Sequence, residues 1–408
     1  MAFMWDRLPF GGRIGLLPRQ YNNASPHGDS VVRVQMSVAE ELHLCSEYRL
    51  TRSGRFVVAN LLVPHRVLST CARNGAQRDD IRFLVNHQSC EASQHPERQK
   101  YLHDLGLEAY HDAACHEIDL PPGQVALMGT AANMNYASIV SQHDGNVRAT
   151  AIVTAGVGGN AACAGDPAAW RETETGWERV YAGTINTMLL VSHPLTKGAL
   201  ARAVVTMTEA KSAALHRLAV RSLYSRDMAT GTGTDQYCVA APHGDRPLTS
   251  TGPHSKVGEI IGVAVRDATL EALRWQNGLE PSFTRGIFHA LGVYGLREES
   301  FLTDIAPMMS EPELERLRRN TKSVVYEPMV SAAAYAIAAV LDRFRYGTLP
   351  RGTAHEALRQ QGSSLAASLA AAPERWVEFY ARLGESDPDQ PAAMVLKAIA
   401  LGWSAKWT

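Results

Sequence analysis

The stretch ATGTGTDQYCVAA, Ala229–Ala241, spaces three threonines with two glycines, closes on Asp235, and then enters an apolar, strand-like run. Glycine lets a backbone approach a ligand closely, and threonine hydroxyls both donate and accept hydrogen bonds. A phosphate, an amide or a plain structural turn would all suit this loop. Its surroundings carry the fold: a strand pattern leaves the loop, and from Gly252 a helical pattern begins with Pro253 in its first turn. That helix places Val257, Ile261, Ala264, Val265 and Ala268 on one face and ends near Gly278.

Upstream, strand patterns start at Val31 (VVRVQMSV), Arg55 (RFVVANLLV), Ile81 (IRFLVN), Val125 (VALMGTAA), Val147 (VRATAIVTAGV) and Arg179 (RVYAGTINTMLLVSH). Several alternate and several are continuously apolar, as in strands buried on both faces. A long helix is expected from about Thr196 to Val220. On it Leu200, Val204, Met207, Leu215 and Leu218 share a sector of about 80°, with Lys211 in its middle and Glu209 on the opposite side. A lysine on a core stripe must either snorkel outward or meet an acid. Beyond Gly278 strand patterns stop; the rest is rich in Ala, Leu, Glu and Arg, with helix starts at Ser310 and Asp387 and a buried helix over the apolar run Ser331–Leu341. The expectation is an α+β or α/β fold, a layered core of a β-sheet with flanking helices over 31–278. An extension over 1–30 precedes it, and an all-α C-terminal domain over 279–408 follows.

Of the 408 residues, 45% are hydrophobic and 20% charged, the composition of an ordinary globular chain. Forty basic residues against 41 acidic ones leave a net charge of −1, so no whole-protein field draws the chain to nucleic acid or an anionic membrane. A small molecule is the expected partner. Six cysteines (Cys45, Cys71, Cys90, Cys115, Cys163, Cys238) form no CxxC pair and read as free thiols in a reducing compartment. The N-terminus breaks its apolar residues with Asp6, Arg7, Pro9 and Arg13, and the run Ser331–Leu341 is about half a membrane span. A cytoplasmic protein is expected.

Polar clusters stand at the ends of the predicted core elements: Thr154–Asp166 (TAGVGGNAACAGD), Gly183–Thr187 (GTINT), Thr208–Lys211 (TEAK), the opening loop, and Gly252–Lys256 (GPHSK). Asn160 among glycines suits a plain turn as well as a ligand. Asn186 interrupts an apolar strand, where a buried amide needs partners, whether for function or as a structural hub. His254 and Lys256 oppose a helix dipole, so an anion or a nearby acid is expected, and Asp235 is the neighbour by sequence. A carboxylate orienting an imidazole is what general acid–base work requires, and equally a common surface ion pair. His87, Cys90, Glu91 and His95 match no standard zinc spacing, and no metal site is expected. Neither glycine-rich segment meets a phosphate fingerprint.

Taken together, TAGV and NAACAGD (154–166), GTINTMLLVS (183–192), MTEAKSAAL (207–215), ATGTGTDQYCVAAP (229–242) and TGPHSKVGEIIGVAV (251–265) resemble the adenosylcobinamide amidohydrolase family, CbiZ. PHRVLSTCARNGAQRDDIRFLVNHQ (64–88) and MGTAANMNYASIV (128–140) extend the resemblance, which spans about Val31–Gly278. It implies hydrolysis of the amide joining aminopropanol to the corrin ring of adenosylcobinamide, giving adenosylcobyric acid in corrinoid salvage toward coenzyme B12. The corrinoid, with its cobalt, is then substrate, and no further cofactor is implied. The family motifs mark His254, Asp235, Lys211 and Glu209 as catalytic candidates. They mark Thr154, Asn160, Thr184, Asn186, Thr230, Gly231, Thr232, Gly233, Thr234 and Lys256 as substrate contacts.

Amide hydrolysis needs an activated nucleophile, donors for the oxyanion and an acid for the leaving amine, and these residue types supply them. Gly183–Thr184 also resembles a junction at which self-processing amidohydrolases expose a threonine nucleophile. The reading from another class is a corrinoid-binding or chaperoning protein without turnover. For the helical tail a lid, a homo-oligomer interface or a docking surface are the alternatives.

Overall fold

A computed structural model of the chain describes residues 39–91, 104–168, 171–173, 176–178, 184–280, 286–384 and 387–407. The strand expected from Val31 lies outside these residues, as do His95, Gly183 and the first part of the strand expected from Arg179.

In chain order the strands are β1 (Glu40–Leu44), β2 (Tyr48–Ser53), β3 (Phe56–Leu61), β4 (His65–Ser69), β5 (Ala76–Arg78) and β6 (Phe83–Gln88). Helix α1 (Leu107–Glu117) leads to β7 (Val125–Thr130), β8 (Ser138–Asp144), β9 (Val147–Ala155), the short β10 (Ala161–Ala162), and a hairpin of β11 (Arg171–Thr173) and β12 (Gly176–Glu178). Strand β13 (Ile185–Val191), helix α2 (Lys197–Arg217), β14 (Gly231–Thr232), β15 (Gln236–Pro242) and helix α3 (Lys256–Asn277) complete this portion.

The expected single sheet divides into two. One runs β1-β2-β3-β6-β7 and the other β5-β4-β15-β13-β9-β8; only β6 with β7 and β13 with β15 are parallel within them. Each parallel pair is linked through a helix, as a parallel crossover requires. The sheets pack face to face through Leu50, Val57, Leu84 and Met128 on one side and Ile152, Met188, Leu190 and Cys238 on the other. Helix α1 covers the outer face of the first sheet, and α2 with α3 cover the outer face of the second. Strand β13 is therefore buried on both faces: Met188 and Leu190 point between the sheets, Ile185, Leu189 and Val191 toward the helices. Its unbroken apolar texture follows from that position.

Helix α2 begins on a Thr196 cap and buries Leu200, Met207, Leu215 and Leu218 as its periodicity predicts. Helix α3 starts three residues later than Pro253 suggests, because Ser255 accepts the Gly258 N–H as its cap, and Gly278 closes it in the left-handed conformation at φ 67°. Nothing among the described residues is long and apolar enough to cross a membrane as a helix.

The tail is helical throughout its described residues: α4 (Ile287–Leu291), α5 (Phe301–Ile305), α6 (Glu311–Arg319), α7 (Lys322–Val325), α8 (Pro328–Arg345), α9 (Arg351–Ala370), α10 (Trp376–Leu383) and α11 (Pro391–Ala405). Ser310 caps α6 with a capping box to Glu313, whereas α11 starts at Pro391 rather than near Asp387. Helix α9 touches α8, α10 and α11, and the residues packed around it, with Phe301, Phe379 and Trp403 the largest, form an apolar core of their own.

At one end of the sandwich the apolar filling gives way to amides. Asn186 Nδ2 donates to Asn86 Oδ1 at 2.9 Å and to the Gly129 carbonyl at 3.0 Å, Asn86 donates to Thr154 Oγ1 at 2.7 Å, and the Gly129 N–H donates to Gln236 Oε1 at 3.0 Å. Asn186→Ala removes the donor from two acceptors buried between the sheets, so a loss of about 2–4 kcal/mol in urea unfolding is expected, against a smaller loss for Thr154→Val. Burial pushes His65, His111 and His289 below the ordinary imidazole value, so the unfolded chain binds more protons than the folded one. Their contribution is complete above an unfolded value of about 6.5 and is lost as pH falls through the lower folded values. Thermal midpoints should therefore drop as pH falls below about 6.5, and replacing His65 by Gln should flatten that slope.

Candidate active site

The amide-rich end of the sandwich is where β13 and β15 begin and where β6, β7 and β9 end. The loop Thr230–Asp235 lies there. Its β14 pairs with β10, Ala161 opposite Thr232 and Ala162 opposite Gly231, so the two glycine-rich segments singled out in the sequence are joined edge to edge. Between them opens a cavity of about 560 Å³. Asn160, Lys211, Tyr224, Thr230–Asp235 and the turn around Asp166 line it.

Four donors converge on the Asp235 carboxylate. Oδ1 accepts from the Ile185 N–H at 3.0 Å, the Thr232 N–H at 3.1 Å and the Thr232 hydroxyl; Oδ2 accepts from Lys211 Nζ. The lysine and aspartate side chains are only 14% and 18% exposed, so the ion pair stands at the cavity wall largely out of water. The lysine on the core stripe has thus met an acid.

Asn160 is buried; its Oδ1 accepts from the Tyr224 hydroxyl at 2.7 Å and its Nδ2 faces Thr234 Oγ1 at 3.4 Å. Thr184, just before β13, donates to the Thr234 carbonyl at 2.6 Å. Thr230 accepts from the Ala164 N–H at 2.9 Å, and Ser212, beside Lys211, donates to the Thr230 carbonyl at 2.9 Å. Thr154 and Asn186 are buried between the sheets and support the site from beneath, Asn186 Oδ1 accepting directly from the Thr184 hydroxyl at 3.4 Å.

Three candidates stand elsewhere. Glu209 is exposed on the outer face of α2, as its angular distance from Lys211 requires. Lys256 is exposed and pairs with Glu259 at 2.9 Å, which raises its pKa. His254 is exposed at the start of α3 and makes no pair with Asp235. The reason is directional. Helix α3 runs 22 residues to Asn277, which accepts from the Val157 N–H at the cavity end of the sheet. Its start is thus about 33 Å away along the axis. The adjoining Thr251 is held by Ala199 and Thr206 in the first half of α2.

Asn86, Gly129, Gln236, Ser212 and Tyr224 were not singled out by sequence. Asn86 carried the same signal as Asn186, a polar residue at an inward position of an apolar strand. Tyr224 carried none. Of the metal-ligand residue types noted in the sequence, His87 is buried against Phe56 and hydrogen-bonded to Tyr110 at 2.9 Å, and no three ligating side chains converge among the described residues.

Gly231 leaves room that the ion pair occupies: a methyl there would run into Asp235 Oδ2 and Lys211 Nζ, whereas one on Gly233 would meet the Asn160 amide less closely, Oδ1 at 3.1 Å and Nδ2 at 3.2 Å. Gly231→Ala is accordingly expected to lower unfolding stability by about 1–3 kcal/mol, and Gly233→Ala by less, in paired urea titrations.

The profile of the adenosylcobinamide amidohydrolase family matches residues 41–281, from β1 to just past α3. An uncharacterized protein of Methanocaldococcus jannaschii is 33% identical over 182 residues, covering 42% of this chain and 71% of that protein. The match takes in both sheets, their three helices and the whole of the cavity, and on it the chain belongs to the adenosylcobinamide amidohydrolase family.

Proposed function

We propose that this chain hydrolyses the aminopropanol amide of adenosylcobinamide, releasing adenosylcobyric acid and free aminopropanol, and that the cavity between the two glycine-rich loops holds the scissile amide. The observation that carries the reading is the Lys211–Asp235 pair at the cavity wall, inside the matched span. In such a hydrolysis a water oxygen bonds to the amide carbon, the C–N bond breaks, and the water's proton ends on the departing amine.

Negative charge grows on the amide oxygen as water adds, and a positioned cation in a site shielded from water stabilises it most. Lys211 takes that role. Asp235, with four donors already on its oxygens, fixes the ammonium and ties the loop to the start of β13. Asn160 Nδ2 and the N–H groups around Gly233 offer donors to the amides on the corrin rim. Tail and matched portion act as one enzyme in this reading, with the corrinoid as the small-molecule partner.

Incubation with adenosylcobinamide and mass analysis for both products tests the proposal. Lys211→Met is expected to lower kcat/KM by about 10²–10³-fold. Asp235→Asn should do similar damage with a lower melting temperature, because it leaves the ammonium unpaired. His254→Ala and Glu209→Gln, both remote from the cavity, should stay within about twofold of the parent. Tight corrinoid binding with no product from the parent chain would replace hydrolysis by carriage.

A further inference from the structure

The segment between α2 and β14 is pinned at both ends by the helical tail. Helix α2 closes with Ala219 in the left-handed conformation, φ 51°, unusual for a residue with a side chain. The Ala219 carbonyl accepts from His289 Nε2 of α4 at 3.0 Å. At the other end, the Tyr346 hydroxyl, just past α8, donates to Asp227 Oδ1 at 2.7 Å. Between these points the segment closes on itself: the Ser222 N–H donates to the Asp227 carbonyl at 2.9 Å, and Arg221 bridges to Met228.

This closed turn supplies part of the cavity wall. Tyr224 projects from it to hold Asn160, and Ser222 donates to Asp166, whose carboxylate also takes the Cys163 N–H at 2.7 Å. An amide has two ends that exchange by a half-turn, and a phenol donating to the oxygen end leaves the NH2 end aimed at Thr234 and the cavity.

We infer that the helical tail is a structural support of the cavity, with His289 and Tyr346 acting as positioning residues that set Tyr224 and, through it, Asn160. The inference rests on Asn160 lying in the substrate site, and its test includes a readout that needs no turnover. Tyr346 is 62% exposed, so Tyr346→Phe removes a hydrogen bond without opening a cavity.

Hydrogen exchange on the full-length chain is measured for peptides covering 219–230, with peptides from α8 and α9 as the control that the tail remains folded. Tyr346→Phe and His289→Ala should each speed exchange in 219–230 by roughly threefold to tenfold, the weight of one hydrogen bond, with His289→Gln restoring it. Turnover of adenosylcobinamide should show a raised KM and an unchanged kcat. Tyr224→Phe should raise KM as well, and adding Tyr346→Phe to it should have no further effect on KM. Unaltered exchange in 219–230 with a folded tail would overturn the inference, as would strictly additive effects on KM. A parent chain without turnover would sink the amidohydrolase reading, and the exchange measurement would still decide the role of the tail.

Discussion

Asp235 is the point at which the cavity is tied together. Its carboxylate receives one N–H from β13, an N–H and a hydroxyl from its own loop, and an ammonium from α2. Strand, loop and helix are thereby held to a common centre, and glycine at 231 leaves open the space that the ion pair fills. A largely buried ion pair gains little over an apolar pair of equal volume, yet removing one partner alone typically costs about 3–5 kcal/mol. The arrangement is therefore specific without being strongly stabilising. Beneath it the chain of Thr154, Asn86, Asn186, Gly129 and Gln236 crosses from sheet to sheet and keeps the strand ends in register.

Much of this was legible in the sequence, for local reasons. The 3.6-residue stripe of α2 and its Lys211 show a cation that must find an acid; Asn186 inside an apolar strand shows an amide that must find partners. The partners themselves are non-local and were not legible. Asn86 lies in the other sheet, and period-two alternation reports that a strand is buried without telling which sheet it joins. His254 illustrates the opposite failure. It is close to Asp235 in sequence, but β15 carries the chain some 23 Å across the sheet between them, so the acid of the loop and the histidine of the next helix end up at opposite ends. The partner of Asp235 is instead a lysine on the helix before it.

Beyond the matched span the tail folds around its own apolar core, centred on α9. Among the described residues, the hydrogen bonds of His289 and Tyr346 to the earlier portion fall on the turn that carries Tyr224. Such contacts add little to stability but fix direction, which is what a wall residue needs.

The strand order of the second sheet has a consequence for how the chain acquires its structure. In β5-β4-β15-β13-β9-β8 the last strand to leave the ribosome, β15, sits in the middle, between β4, made some 170 residues earlier, and β13. Until β15 docks, β4 and β5 have no strand of this sheet to join. Pairings of such long range are slow to form. Because Asp235 immediately precedes β15, the step that closes the sheet also brings the ion pair, and with it that wall of the cavity, into place.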